Sequence, residues 1–392
     1  MKRFFQPVAK NGTATKKQAV ESKELNDVTE SAAAEAESGN EAKEPLRFLS
    51  WNANSFLLRL KNNRTEFVDL IRSFDPDVIA IQEVRLPAAG RKGESKNQGI
   101  IKDDTSAARE EKQAVMRALS VSPLSDYQVW WSLADSKYAG TALLVKHCFK
   151  PVSVKFSLES GASRDTHVPD GRVILAEFKT FRLLVTYAPN NGWKEEETSF
   201  QRRRKWDKAL RKFVSQESKK PLIWCGDLNV SHQDIDVSHP DFFRTAKQKD
   251  YTPPNAEDVG QPGFTAAEKQ RFSQILKDGG LVDSYRWLHK SQDFENGFSW
   301  SGNAVGKYRG KRMRIDYFLI SEQLVGRLLH SDIQGSGIDH KGYCGSDHCP
   351  ITLELSPATS TVPAHLPHVS SIDTDSTTGI DVKEITPEGV CP

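Results

Sequence analysis

Six short strings carry the residues that could do chemistry, each where an apolar run stops in an acid, an amide or a histidine. Leu49-Ser50-Trp51 runs into Asn52-Ala53-Asn54, Ile79-Ala80-Ile81 into Gln82-Glu83, and Leu183-Leu184-Val185 towards Tyr187 and Asn190. Leu222-Ile223-Trp224-Cys225 runs into Gly226-Asp227-Leu228-Asn229, Asp316 sits within Arg314–Ile320, and Asp347-His348 come just before Cys349-Pro350-Ile351. Taken singly, a carboxylate after a strand is more often a turn former or helix cap, and His348 beside Asp347 could be a plain structural pair. Asp316 is harder to dismiss, because an acid in an apolar strand is costly to bury without a partner. If the strand ends gather on one edge, these groups converge on a rigid scaffold.

The set suits one chemistry. Hard divalent cations such as Mg²⁺ are held by carboxylate and amide oxygens, and Glu83, Asp347, Asn54 and Asn52 can offer them. Hydrolysis of a phosphodiester needs a deprotonated water, neutralised charge on phosphorus and a stabilised leaving oxygen. Asp227 could orient or deprotonate the water and Asn229 position it, while His348, Tyr187 and Asn190 hold the phosphoryl oxygens. Asp316 could pair with His348 and keep it charged and oriented. No Ser or Cys elbow, Walker loop or dinucleotide fingerprint competes.

The elements that must position these residues follow from hydropathy patterning. Strand-like runs occupy Leu46–Trp51, Val78–Gln82, Tyr127–Ser132, Thr141–Val145, Arg172–Phe178, Arg182–Tyr187, Leu222–Cys225, Arg314–Ile320 and Ile351–Leu355. Helical periodicity predicts helices over Glu66–Phe74, Glu110–Leu119, Glu196–Val214 and Thr265–Lys277, the last with Thr265 and Glu268 spaced as a capping box. Strands outnumber helices and often follow each other directly, which favours two packed, mostly antiparallel sheets covered by outer helices. Gly90–Lys102 reads as a surface loop.

Composition limits the alternatives. Apolar residues make up 37% of the 392 and no run of 18 or more appears, so a membrane-spanning helix is excluded and an intracellular protein is expected. The five cysteines lack metal-site spacing and read as reduced thiols. The net charge of +2 says little, but Arg202-Arg203-Arg204-Lys205 and Lys307-Tyr308-Arg309-Gly310-Lys311-Arg312 concentrate cations. Such density serves phosphate backbones, although an ordinary solvated face explains either run equally well alone. Residues 1–44 and 357–392 are too polar to offset their ordering entropy and are expected to be disordered, leaving one catalytic domain over 45–356.

The strings Ser50-Trp51-Asn52, Ile81-Gln82-Glu83, Tyr187-Ala188-Pro189-Asn190, Cys225-Gly226-Asp227-Leu228-Asn229-Val230, Arg314-Ile315-Asp316-Tyr317-Phe318 and Gly345-Ser346-Asp347-His348-Cys349-Pro350 resemble, in order, the motifs of the exonuclease III family of AP (apurinic/apyrimidinic) endonucleases. With Met1-Lys2-Arg3-Phe4-Phe5 and Trp51-Asn52-Ala53-Asn54-Ser55-Phe56 the resemblance is to the plant branch of that family. It implies an α/β fold, a four-layer sandwich of two mostly antiparallel sheets packed face to face with helices outside. It implies base excision repair by incision 5′ to an abasic site, leaving a 3′-hydroxyl, with 3′-end cleaning and weaker 3′–5′ exonuclease action at the same centre. The implied cofactor is Mg²⁺, with Mn²⁺ as its substitute, held by Asn54, Glu83 and Asp347. Asp227 with Asn229 would activate water, Asn52, Tyr187, Asn190 and His348 would grip phosphate, and Asp316 would orient His348.

Two departures stand out: Asn54 where some members carry Asp, and Met313 where one animal branch walls its abasic pocket with an aromatic residue. Trp300, or Phe298 nearby, is expected to form the remaining wall, and Lys307, Arg309, Lys311 and Arg312 to hold flanking phosphates. The implied partner is double-stranded DNA with abasic sites or blocked 3′ ends, with a nuclear protein, or a plastid one, expected from that substrate. Phe4-Phe5 is a weak candidate for docking a sliding clamp; no membrane partner is expected, and nothing suggests anything but a monomer. Inositol-phosphate or lipid phosphatases, deadenylases and nonspecific nucleases share the Asn, Glu, Asp-x-Asn and Ser-Asp-His frame, and the Tyr-x-Pro-Asn and Arg-Ile-Asp-Tyr contexts favour the AP endonucleases over them. A non-catalytic scaffold would not need every polar position filled.

Overall fold

A computed structural model describes residues 44–90, 96–158, 169–190, 196–246, 252–291, 293, 296–303, 305–335 and 344–358. The expectations for Phe4-Phe5 and for the segments before Glu44 and after Ala358 lie outside them. Chain order gives β1 (Arg47–Asn52), α1 (Phe56–Asn62), α2 (Arg64–Phe74), β2 (Val78–Gln82), β3 (Ala88–Ala89), β4 (Asn97–Ile101) and α3 (Ser106–Leu119). Next come β5 (Tyr127–Ser132), β6 (Thr141–Lys146), β7 (Ser153–Lys155), β8 (Val173–Glu177), β9 (Arg182–Tyr187), α4 (Glu196–Val214) and β10 (Leu222–Asp227). The rest are α5 (Pro240–Thr245), α6 (Ala266–Gly279), β11 (Leu281–Asp283), α7 (Ser284–Leu288), β12 (Trp300–Ser301), β13 (Arg312–Met313), β14 (Asp316–Ser321), β15 (Leu328–Ile333) and β16 (Ile351–Leu355).

Two six-stranded sheets result, in the orders β15-β16-β1-β2-β6-β5 and β11-β14-β10-β9-β8-β7. Each holds one parallel pair, β1 with β2 and β9 with β10, among antiparallel neighbours. A parallel pair needs a crossover, which α1 and α2 supply in the first sheet and α4 in the second.

Alternation along the strands sorts the side chains into layers. Phe48, Val78, Ala80, Leu183, Val185, Ile223, Cys225, Phe318 and Ile320 share the core between the sheets. Leu49, Trp51, Ile79 and Ile81 pack outward against Phe56, Phe67, Ile71 and Val115 of the first helical layer. Leu184, Trp224 and Leu319 pack against Leu210, Phe213, Phe272 and Ile275 of α4 and α6 on the other side. These four layers are the architecture expected. Two readings change: Asn97–Ile101, inside the stretch read as a loop, forms a strand, and β15 adds an unexpected edge to the first sheet.

The same alternation aims the polar ends. Continuing the inward-facing series past the apolar residues reaches Asn52 on β1, Gln82 on β2, Tyr187 on β9, Asp227 on β10 and Asp316 on β14. Pairing then sets Asp227 directly between Tyr187 and Asp316 across the second sheet. Gly226 is required for this: a Cβ there would meet the Thr186 carbonyl oxygen at 1.9 Å.

Candidate active site

The inter-sheet core becomes polar at one edge. Asn52 Nδ2 donates to Asp227 Oδ2 at 2.8 Å and to Glu83 Oε1 at 3.2 Å, and the Tyr187 hydroxyl donates to the same Glu83 oxygen at 2.9 Å. His348 Nδ1 lies 2.8 Å from Asp316 Oδ2, and its Nε2 lies 4.0 Å from Asp227 Oδ2. Asn229 Nδ2 bridges Ala188 O at 2.9 Å and Asp227 Oδ2 at 3.3 Å. Asn54 Nδ2 and Trp300 Nε1 hold the two oxygens of Asp347 at 2.8 and 3.2 Å.

These groups open onto a cavity of about 200 Å³ lined by Glu83, Tyr187, Asn190, Asp227, Asn229, Trp300, Met313, Asp347 and His348, together with Gln261, Pro262, Gly263, Tyr308 and Ile315. Nine of the sequence-derived candidates therefore meet around one cavity. Asp316 stands behind His348, and Asn54 behind Asp347. Asn52, expected to grip phosphate, is fully buried and spent on two carboxylates, so it bridges the sheets instead. Phe298 is buried away from the cavity, with the Arg312 guanidinium 5.7 Å over its ring.

Burial dominates the electrostatics. It raises Asp227 to about 7, with the Asp316 charge adding to the rise and His348 opposing it. Burial alone would lower His348, but Asp316, by charge and hydrogen bond, carries it up to about 10. Tyr187 is pushed well above the ordinary phenol range by burial and then by Glu83 and Asp227, so it stays a hydrogen-bond donor. A carboxylate titrating near neutrality beside a persistently cationic imidazole is the pairing general-base hydrolysis needs.

Backbone conformation sets the loops. Asn54, Glu83 and Asn229 follow their strands with φ of 44°, 52° and 47°, which brings Glu83 and Asn229 to the cavity and sets Asn54 behind Asp347. The Gly263 wall is buttressed from below, as Glu268 of the Thr265 capping box also accepts from Gly263 N at 2.8 Å.

Several contributors escape a reading by motif. Ser299 Oγ donates to Asp316 Oδ2 at 2.7 Å, and Ser346 Oγ donates to the Asn52 carbonyl at 2.7 Å. Arg172 lies 4.7 Å over the Tyr187 ring and donates to its carbonyl. Arg203 is the clearest correction to the charge-run reading. It is buried, pairs with Asp207 at 2.9 Å and donates to the carbonyls of Pro189, Leu228 and Asn229. Arg204 pairs with Asp258. The i to i+4 spacing of Arg203 and Asp207 was the available signal. Of the second run, Lys307 and Arg309 are exposed and Lys311 and Arg312 half-buried.

Oxygen donors suited to a hard cation are present at the cavity rim in Glu83 and Asp347, with Asn54 adjoining. Asp227, Asp316 and His348 form a second, fully buried cluster whose ligand atoms lie within 4.8 Å of one another. His348 Nδ1 and Asp316 Oδ2 are already paired at 2.8 Å in that cluster, so the all-oxygen rim set fits a hard divalent cation better.

A face-to-face pair of sheets with an Asn, Glu, Asp and His centre at one edge defines a phosphoester-hydrolase class, and the chain belongs to the Endonuclease/Exonuclease/phosphatase family, whose model matches residues 49–348. Within it the chain is 61% identical over 360 residues to a DNA-(apurinic or apyrimidinic site) endonuclease of Arabidopsis thaliana, covering 92% of this chain and 98% of that one. It is 31% identical over 314 residues to an exodeoxyribonuclease of Bacillus subtilis, covering 79% and 100%. The fold is similar to that of an AP endonuclease from Archaeoglobus fulgidus, with TM-score 0.56, 21% identity and coverage of 80% and 100%.

Proposed function

We propose that the chain is a DNA-(apurinic or apyrimidinic site) endonuclease of base excision repair, a nuclease that hydrolyses the phosphodiester 5′ to an abasic site and leaves a 3′-hydroxyl. The observation that carries it is Asp227, buried between Tyr187 and Asp316, facing a sugar-sized cavity with His348 4.0 Å away. Removal of 3′-blocking groups and weak 3′–5′ exonuclease action would use the same centre. Its catalytic domain is residues 45–356, and its substrate assigns it to the nucleus, or to a plastid.

Asp227 accepts a proton from water, which Asn229 orients. The water oxygen bonds to phosphorus as the bond from phosphorus to the upstream 3′-oxygen breaks, and that oxygen leaves with the bonding pair and takes a proton from solvent to become the 3′-hydroxyl. Protonated His348, held by Asp316, and the Tyr187 and Asn190 side chains hold the phosphoryl oxygens. A Mg²⁺ ion, or Mn²⁺ in its place, held by Glu83, Asp347 and Asn54 would supply charge neutralisation. For Glu83 to serve, its Oε2 must be released by Arg85, which donates to it at 2.7 Å through Nε. A missing base lowers the cost of extruding the sugar into the cavity.

The deciding experiment sets duplexes with one abasic site beside duplexes with one blocked 3′ end, with and without Mg²⁺. Divalent-dependent incision 5′ to the abasic site is expected. An intact abasic duplex alongside hydrolysis of a phosphoinositide would replace this reading with a phosphatase.

A further inference from the structure

Resting on that reading, we propose that Tyr308 is the specificity-determining wall of the cavity, the side chain that decides whether a base-bearing nucleotide can enter. The cavity of about 200 Å³ is small beside the roughly 300–1,000 Å³ of ordinary ligand pockets. An occupant larger than a sugar and its phosphate must therefore project from the open side or displace a wall, and the walls differ in how they are held.

Trp300 is pinned by its Nε1 bond to Asp347, by pairing with Met313 and by a backbone bridge to His348. Met313 is 4% exposed and packed among Val237, Phe243, Phe264 and Ile315. The Gln261–Gly263 wall is fixed by Gln261 N donating to Phe243 O and by Ser231 N donating to Gly263 O, each at 2.7 Å. Tyr308 packs on the same cluster and edge-on to Phe242 at 6.0 Å, but is less buried than Met313. It is half-buried on the connection between β12 and β13, followed by Gly310 and preceded by Gly306, both in left-handed backbone at φ 70° and 92°. Its hydroxyl donates to Gln261 Oε1 at 2.7 Å, and its ring meets Trp300 edge-on at 6.1 Å.

Gly302 ties the loop to this placement, since a Cβ there would meet Tyr308 O at 2.2 Å. The ring thus supplies the aromatic face that position 313, a methionine, does not. The neighbouring Lys307 and Arg309 are exposed, so phosphate contacts on the same loop would press the ring onto the extruded sugar. Burial raises the phenol to about 12, which keeps the hydroxyl a donor to Gln261 throughout the working range.

The test measures affinity of the full chain for a duplex carrying a tetrahydrofuran abasic analogue and for the same duplex undamaged, in Ca²⁺ to prevent cleavage. Wild type, Tyr308→Ala and Tyr308→Phe are compared, with removal of undamaged 3′ nucleotides in Mg²⁺ as a second readout. Tyr308→Ala is expected to lower the preference for the abasic duplex by on the order of tenfold and to raise undamaged-end removal. Tyr308→Phe, which keeps the ring, is expected to retain the preference within about threefold. If wild type shows the preference and Tyr308→Ala keeps it, the wall assignment is overturned while the endonuclease reading stands. If both affinities fall by one factor, Tyr308 is merely structural and the proposal is overturned. A wild type without preference would overturn the endonuclease reading and this one with it.

Discussion

Asn52 Nδ2 lies 2.8 Å from Asp227 Oδ2, so the last residue of β1 is hydrogen-bonded to the last residue of β10 in the facing sheet. That amide reaches across the interlayer core, as the Tyr187–Glu83 bond does beside it, and Asp227 is the base it steadies. Asp227→Asn keeps the shape and removes the proton acceptor. Turnover on abasic duplex should fall by on the order of 10²–10⁴-fold, with DNA affinity retained; near-normal turnover removes Asp227 from that role.

The pH profile should be bell-shaped. Asp227 must be ionised to act, so activity rises with pH through about 7, and a bound divalent cation moves that limb lower. His348 must be protonated, and its pKa of about 10 sets the loss at high pH. Asp316→Asn removes the largest of the charges that raise His348, leaving Asp227 and Asp347, while burial still lowers it. The alkaline limb should then move to lower pH; an unmoved limb would separate Asp316 from His348 function.

Chelation should abolish cleavage, and Mg²⁺ or Mn²⁺ should restore it. Glu83→Gln should weaken the metal requirement curve, raising the Mg²⁺ concentration for half-activity by about tenfold or more. A curve superimposable on wild type would exclude Glu83 as a ligand.

Arg203 is buried beneath the loops bearing Asn190 and Asn229. Arg203→Met strands Asp207, although Arg271 Nε, 2.8 Å from its other oxygen, limits the damage. A stability loss of about 3 kcal/mol is expected in urea unfolding. Arg203→Lys should recover little of it, because a point charge cannot reach three carbonyls and a carboxylate at once. Unchanged stability in both variants contradicts the clamp.

Binding should weaken steeply with salt and hardly depend on sequence. Lys307 and Arg309 are the exposed cations of their loop, so replacing both by Ala should reduce the slope of log affinity against log salt by roughly 1.8. Arg312→Ala should change it less, since that guanidinium lies over Phe298. Equal slopes for all variants would locate the phosphate contacts elsewhere.

Much of this was legible in the chain. Val78–Gln82, Tyr127–Ser132, Arg182–Tyr187 and Ile351–Leu355 form strands with the bounds expected, and Glu196–Val214 a helix, because each carries a strong apolar period. Strand β15 was not legible, since Leu328–Ile333 is an edge with Leu329 and His330 exposed and no clean alternation. The helix Phe56–Asn62 is only seven residues long, too short for its period to register. Polar residues at strand ends announced the centre, but what surrounds it did not show. Arg203 looked like surface charge, and Tyr308 and Gln261 reach the cavity from segments that only the tertiary fold brings together.

The left-handed backbone at Asn54, Glu83 and Asn229 sets folding against catalysis at three positions. Glycine would relieve roughly 1 kcal/mol or more of torsional cost at each, yet would delete an amide or carboxylate from the centre. A chain selected for heat resistance alone would drift towards glycine there and lose its reaction, so a stabilised variant of this enzyme has to draw its improvements from elsewhere.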